Sequence, residues 1–157
     1  MDPVWIKFLS WLLWLFFFAG QGLLFALLLP FTPRFEPSEF LSYKIFVPAG
    51  GLGLISIYFL WVSTRSKRIR HWTFEAREAG KDFNAALKLI LRKCLYREFW
   101  GLWFATGVSV YAGVLFVWAK IDLTELFLLF VASLALVLLG WPENERALEI
   151  ARKDWEA

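Results

Sequence analysis

Four long segments without a charged side chain run through this sequence and limit what it can fold into. They contain 26, 20, 21 and 17 residues, and they lie between the charged residues Lys7 and Arg34, Lys44 and Arg65, Glu98 and Lys120, and Glu125 and Glu143. A transmembrane helix needs about 20 predominantly apolar residues, because the hydrocarbon core of a bilayer is about 30 Å thick. The segments therefore predict four membrane-spanning helices.

The composition also calls for a large apolar environment. Hydrophobic residues make up 59% of the 157 residues, with ten Trp and seventeen Phe, which is more apolar surface than a soluble domain of this size buries. The four segments are apolar on every face, whereas barrel strands alternate at every second residue. We therefore predict an all-α polytopic membrane protein, a single membrane domain over residues 1–157, with spans near residues 5–29, 45–63, 99–119 and 123–141.

The distribution of basic residues predicts the orientation of these spans. Ten of the seventeen Lys and Arg residues fall between Arg65 and Arg97. In a four-span protein both termini lie on the same side as this segment, which places fourteen basic residues there and three on the other side. Because cytoplasmic loops carry the excess of Lys and Arg, both termini, a basic loop over residues 64–98 and a tail over residues 142–157 are predicted to be cytoplasmic.

The predicted span ends also carry tryptophan. Indole rings favour the headgroup level, and five tryptophans lie within a few residues of these ends: Trp5, Trp61, Trp100, Trp118 and Trp141. Short loops near residues 31–44 and 120–123 are predicted on the side opposite the termini. A prokaryotic cytoplasmic (inner) membrane is the simplest setting for this charge bias, although an organellar membrane gives the same pattern.

A second kind of helix is predicted between the second and third spans. After Gly80, apolar side chains including Phe83, Leu87 and Ile90 recur at spacings of three and four, which is typical of an amphipathic helix. Five basic residues cover much of its other surface: Lys81, Lys88, Arg92, Lys93 and Arg97. Such a surface either serves only to orient the protein or forms a docking site for a partner or for anionic lipid. Nucleic acid is not predicted as a partner, since no recognisable binding fold is present.

The tail after Pro142 predicts a further short helix. Glu143 and Glu145 lie near its start and Arg152 and Lys153 near its end, an arrangement that suits the helix dipole. Two placements are open for this helix: the membrane surface, or the basic loop, whose charge is opposite to that of the acidic side chains in the tail.

Apart from Lys7 and Glu125, which lie within the first three residues of their spans, the predicted spans contain no Asp, Glu, Lys, Arg or His. Ion-coupled transporters and proton relays keep such groups within the bilayer, so a pump is disfavoured. Gln21 is the most polar residue in the interior of the first span, and it lies between Gly20 and Gly22. We expect its amide to make a hydrogen bond to a neighbouring helix, with a ligand contact as the alternative.

Small residues predict where the spans pack against each other. They recur at every fourth position in the third span and at one pair in the second: Gly101, Ala105, Ser109 and Gly113, and Ala49 and Gly53. This spacing lets helix backbones approach closely. Pro48, Gly50 and Gly51 are expected to weaken the start of the second span, which would then be kinked or broken.

No cofactor, metal site or enzyme motif is predicted. The chain has one histidine, His71, and one cysteine, Cys94, which are too few for a haem ligand pair, a zinc site, an iron–sulfur cluster or a disulfide. A bound lipid is the only small molecule expected. An enzyme of unrecognised type would have to take its acid and base from span ends such as Glu98 or Asp122.

Two classes of function fit these observations. The first is a non-catalytic subunit or scaffold of a larger membrane complex, which binds other membrane subunits or a second copy of itself through its helix faces and its basic loop. The second is an uncoupled small channel or carrier, or a lipid- or quinone-binding protein. That second class would use Gln21, the weakened start of the second span and the aromatic residues of the first span, which include Trp11, Trp14 and Phe16.

Overall fold

A computed structural model of the protein describes residues 3–30, 41–62, 66–118, 121–140, 142 and 144–156. Every regular element in this part of the chain is helical and none is a strand, which confirms the predicted all-α class. The elements are α1 (Pro3–Leu28), α2 (Leu41–Ile57), a π-helical turn (Tyr58–Val62), α3 (Ser66–Glu78), α4 (Phe83–Val117), α5 (Leu123–Leu139) and α6 (Asn144–Glu156). The tail helix predicted after Pro142 is thus present as α6.

Several sequence predictions concern residues outside the described part of the chain. They are most of the loop near residues 31–44, Lys120 in the loop near residues 120–123, and the predicted span ends at residues 63, 119 and 141. The side chains of residues 41–45 belong to the same group.

Two helices are long and apolar enough to cross a bilayer: residues Val4–Leu28 of α1, and α4. At about 1.5 Å per residue, the 26 residues of α1 extend over about 39 Å and the 35 residues of α4 over about 52 Å. The apolar helices Phe46–Trp61 and Leu123–Leu139 are shorter. By length and composition, the structure therefore provides two candidate spans, at the first and third of the predicted positions.

The structure differs from the prediction in how the basic segment joins the third span. The sequence predicts a separate amphipathic helix followed by a span, but both belong to one continuous helix, α4. Neither Pro nor Gly occurs between Phe83 and Trp100, so the backbone hydrogen bonding is not interrupted there. The rest of the predicted basic loop is also largely helical, since α3 occupies Ser66–Glu78.

Local signals fix the boundary between α3 and α4. Gly80 adopts a positive φ of 66°, and Lys81 N donates to Ala76 O at 3.1 Å, so the chain leaves α3 through a left-handed residue that glycine tolerates best. Asp82 then caps α4, because its side chain accepts a hydrogen bond from Ala85 N at 3.1 Å.

Helix α4 is the centre of the molecule and contacts every other helix. One apolar core surrounds its C-terminal half and contains residues of α1, α2, the π-helical turn and α5, among them Trp14, Leu60 and Val137. A second, smaller core surrounds its N-terminal half. We call α3, α6 and the N-terminal half of α4 together the cap. The core of the cap consists of Ile69, Trp72, Ile90, Cys94, Ala147 and Ala151.

Close helix packing is concentrated on one face of α4. The buried residues of this face include the four small residues Gly101, Ala105, Ser109 and Gly113. A Cβ atom on Gly101 would clash with the side chain of Leu60, and one on Gly113 would lie 3.0 Å from Leu28 Cδ1. The absence of a side chain at Gly101 is thus what lets the π-helical turn pack directly on α4.

The small residues of α2 lie against α5 less tightly. Ala49 is buried, and a Cβ atom on Gly53 would lie 3.6 Å from Leu136 Cδ1, an ordinary van der Waals distance. The expected break near Pro48 does not occur, because α2 is helical through this residue. The irregular part of the second apolar segment is instead the π-helical turn near its end.

We predict that Gly101→Ala destabilises the protein by about 1–3 kcal/mol, because the added methyl group overpacks the contact with Leu60. Gly107 provides a matched control in the same helix, since a Cβ atom there would lie 3.7 Å from Leu52 Cδ1. Gly107→Ala is expected to be neutral or slightly stabilising, because alanine favours the helix. Thermal unfolding of the two variants in the same detergent measures the difference, and equal midpoints would contradict the proposed importance of this contact.

Candidate functional site

Three buried polar side chains connect helices through backbone carbonyl groups. Ser56 Oγ donates to Gly101 O at 2.9 Å, and Ser133 Oγ donates to Ala105 O at 2.6 Å. Trp14 Nε1 donates to Val137 O at 2.9 Å. These bonds join α2 and α5 to α4, and α1 to α5, and they satisfy donors that would be costly to leave unpaired in an apolar interior.

Gln21 lies inside the bundle and faces α4. Its side chain is 2% exposed, and its Nε2 atom lies 3.5 Å from Thr106 Oγ1, at the long limit of a hydrogen bond. Its Oε1 atom is buried and accepts no hydrogen bond from the described residues. The amide therefore has one weak interhelical contact and one acceptor available for another donor.

Glu98 is a buried residue that the sequence reasoning placed only at a span end. It is 6% exposed, and it accepts a hydrogen bond from the hydroxyl group of Ser10 in α1, which is also buried. Helix α1 therefore covers the carboxyl group. The available signal was Ser10 itself, a hydroxyl within an otherwise apolar run that needs a partner when buried.

Asp122, the other span-end acid considered for catalysis, is occupied in local structure. Asp122 Oδ1 accepts from Glu125 N at 2.7 Å, and Glu125 Oε2 accepts from Asp122 N at 3.1 Å. This reciprocal pair is a capping box, which satisfies free N–H groups at the start of α5. The two carboxylates thus define where α5 begins.

The aromatic residues of α1 do not converge on one site. Trp14 and Phe17 are buried in the core, whereas Trp11 and Phe16 are on the exposed surface. Trp14 stacks on Phe18, with ring centres 5.1 Å apart. This arrangement contributes packing on one side of α1 and apolar surface on the other, and it does not form a cage.

The five basic residues predicted to form a docking surface separate into two groups. Lys81 and Lys88 are exposed. Arg92, Lys93 and Arg97 line an open cavity of about 880 Å³, which we call the basic groove. Its remaining walls are aromatic and leucine side chains from α1, the π-helical turn, α3 and α4, including Leu9, Leu13, Phe59, Trp72, Tyr96 and Phe99.

Trp72 positions the cations of the basic groove. Arg97 Cζ lies 5.0 Å and Lys93 Nζ 5.2 Å from the centre of its ring, within the range of cation–π attraction. Lys93 Nζ also lies 3.2 Å from Glu75 Oε2, so part of its charge is compensated. Arg97 Nη1 is buried and makes no hydrogen bond to the described residues. The groove thus keeps an excess of positive charge and an unsatisfied guanidinium donor.

Ion pairs attach the tail helix α6 to the rest of the molecule. Arg70 Nε of α3 lies 3.5 Å from Asp154 Oδ2, and Lys7 Nζ of α1 lies 3.0 Å from Glu145 Oε1. Of the two placements open for the tail, contact with the basic segment is therefore the one observed. Because one side chain of each pair is largely exposed, the pairs contribute little energy individually, and the apolar core of the cap supplies most of the attachment.

An exposed pair of titrating groups on α6 has perturbed pKa values. The hydrogen bond from Lys153 Nζ to Glu149 Oε1, 2.8 Å long, and the attraction of the charges lower the pKa of Glu149 and raise the pKa of Lys153. This pair lies four residues apart on the helix and is ordinary surface stabilisation.

Comparisons with known proteins do not place this chain in a family. No protein-family model, no curated protein and no solved structure matches it. Among the described residues, no group of three or more His, Cys, Asp and Glu side chains comes together in a way that could hold a metal ion. The buried polar groups and the basic groove are therefore the features from which a function can be inferred.

We predict that Ser10→Ala destabilises the protein by about 1–3 kcal/mol, because it leaves the buried Glu98 carboxyl group without its hydroxyl donor. The double variant Ser10→Ala/Glu98→Leu should recover much of this loss, since both polar partners are then removed. The coupling is measured with a double-mutant cycle, that is, from the unfolding free energies of the parent protein, the two single variants and the double variant in one detergent. Strictly additive effects would show that the two groups are not coupled.

Proposed function

We propose that this chain is a four-span integral membrane protein that acts as a non-catalytic subunit or scaffold of a larger membrane complex. The main observation in support of this proposal is that several polar side chains between the helices are engaged in structural hydrogen bonds. Ser56, Ser133 and Trp14 direct their donors to backbone carbonyls of neighbouring helices, and Asp122 caps α5. These groups hold helices in place and are not left free for chemistry.

The surface of α1 supports the placement in a membrane. Only 22% of its most apolar stretch is buried within the protein, and Phe16 and Leu23 are among its most exposed side chains. An exposed apolar surface of this extent is unstable in water and favourable in lipid. The exposed Trp5, Trp61 and Trp118 lie at helix ends, as expected for residues at the headgroup level.

The two shorter apolar helices complete the proposed set of four spans. The 17 residues of α5 extend over about 26 Å, close to the hydrocarbon thickness of about 30 Å. The second apolar stretch, Phe46–Trp61, includes most of the π-helical turn. Both helices pack on α4, as α1 does, so the proposed topology places α1, α2, α5 and the C-terminal half of α4 in the bilayer. The positive-inside distribution then places the cap and both termini in the cytoplasm.

The cap offers a surface for a partner. Lys81 and Lys88 are exposed at the N-terminal end of α4, and Phe74 of α3 is 58% exposed although its helix is otherwise largely polar. Exposed positive charge and an exposed aromatic side chain in the same part of the molecule suit a partner surface that carries acidic residues and an apolar pocket. We propose that these exposed residues of the cap dock another subunit.

The subunit proposal predicts that the protein leaves its native membrane together with other polypeptides. A tagged copy would be extracted in polymer discs and the intact particle identified by native mass spectrometry. Reversing two charges with Lys81→Glu/Lys88→Glu is expected to lower partner recovery by about tenfold or more, since mismatched interface charges cost several kcal/mol. Arg152→Glu, an exposed change on α6, is the control and should retain the partner. A stable particle containing only this chain as a monomer would argue against the proposal.

A second candidate function is favoured by the unpartnered Oε1 atom of Gln21. In this alternative the protein is a small uncoupled channel or carrier, or a membrane protein that binds a lipid or quinone, and Gln21 donates to or accepts from the ligand. The weak contact with Thr106 would then be exchanged for a contact with the ligand.

Gln21→Leu distinguishes this alternative from a packing role. If Gln21 binds a ligand, the amount of ligand retained by the variant, or the flux through it in liposomes, should fall about tenfold, which corresponds to a loss of about 1.4 kcal/mol of binding free energy. Its unfolding midpoint should change little. Thr106→Val is the matched control, because it removes the weak hydrogen bond without changing the Gln21 amide. Unchanged flux and ligand content in Gln21→Leu would exclude this residue as the site.

A further inference from the structure

We propose that the basic groove is a binding site for one anionic phospholipid from the inner leaflet. The phosphate of the headgroup would lie against Arg92, Lys93 and Arg97, and an acyl chain would extend along Leu9 and Leu13 of α1. This inference rests on the proposed placement of the protein in a membrane, and it assigns a specific ligand to a site that the subunit proposal does not use.

Charge is the first argument for this ligand. The side chains that line the groove include two arginines and one lysine and no carboxylate. Glu75 lies next to the groove and pairs with Lys93, which leaves the two guanidinium groups as the main uncompensated charge. Planar guanidinium groups bind phosphate with two parallel hydrogen bonds, and their attraction is strongest where water is partly excluded.

The unsatisfied donor on Arg97 is the second argument. Its Nη1 atom is buried without a hydrogen bond to the described residues, and the Trp72 ring, 5.0 Å from its Cζ atom, holds the guanidinium group at the wall of the groove. Holding a cation in place before the ligand arrives lowers the entropy cost of binding. A small shift of this side chain would turn its free donors towards an anion in the groove.

The apolar walls decide between a lipid and a soluble anion. A site for free phosphate needs only the cations, but this groove continues over leucine and aromatic side chains, including Leu13 and Phe99, for a total volume of about 880 Å³. Leu9 and Leu13 belong to α1, whose exposed surface faces the hydrocarbon in the proposed topology. A molecule with an anionic head and an apolar chain matches both parts of the groove at the level where the cap meets the bilayer.

The test uses the purified full-length protein in a mild detergent. Phosphatidylglycerol is added in parallel with phosphatidylcholine of the same chain length, and both the thermal midpoint and the lipid retained in native mass spectrometry are measured. Phosphatidylglycerol is expected to raise the midpoint by about 5 °C at saturation and to remain bound as one molecule, with little effect from phosphatidylcholine.

Two sets of variants separate a defined site from general attraction. Arg92→Gln/Lys93→Gln/Arg97→Gln is expected to weaken phosphatidylglycerol binding by about tenfold or more. Arg77→Gln/Lys81→Gln/Lys88→Gln removes the same charge outside the groove and should change binding by less than about twofold. Leu9→Trp keeps all the charges but narrows the apolar end, and it should also weaken binding, which provides a test if the first triple variant does not fold.

Several outcomes would overturn the site. Equal weakening by the two triple variants would show diffuse electrostatic attraction. The same midpoint shift with inorganic phosphate, or with an acidic peptide, would show that the groove binds soluble anions. Retention of each variant in liposomes after a carbonate wash is measured first, because a failure to insert would refute the membrane placement itself, whereas insertion without lipid selectivity refutes only the site.

Discussion

The contact between Gly101 and Leu60 is the constraint on which the arrangement of the helices depends. Because Gly101 has no side chain, the π-helical turn after α2 reaches the backbone of α4, and Leu60 fills the space between them. The same Leu60 side chain also approaches Gly140 at the end of α5. One leucine therefore fixes the relative positions of three elements, and Ser56 reinforces it through a hydrogen bond to Gly101 O. In the proposed membrane placement, the hydrophobic effect does not favour helix–helix contacts over helix–lipid contacts, so such close contacts determine which helices pair.

Much of the helical architecture could be predicted from local patterns in the sequence. The charge-free segments indicated apolar helices, and Gly80 and Asp82 mark a helix end and a helix start by known capping chemistry. The continuity of α4 across the basic segment was not predicted, because the change from a charged to an apolar composition suggested two elements. Composition changes the environment of a helix, but only an interruption of backbone hydrogen bonding ends it.

The candidate sites were harder to predict because they depend on contacts between distant segments. Glu98 is next to a basic residue and a predicted span end, and nothing near it in sequence indicates that Ser10 would cover it from another helix. The basic residues were recognisable as a group, but their division depends on where Trp72 of α3 lies relative to α4. Sequence periodicity locates a face of one helix. It does not identify the neighbour of that face.

The length of α4 has a mechanical consequence. The helix is a single rod of about 52 Å, and its N-terminal half carries the cap while its C-terminal half lies among the apolar helices. Tilting such a rod by about 10° displaces Phe83 by about 4 Å relative to Phe99. In the proposed topology, bilayer thickness would set that tilt, since a helix adjusts its angle to match the hydrocarbon around it. The cap would then move as a lever arm, so that its position relative to the membrane surface would depend on the thickness of the bilayer.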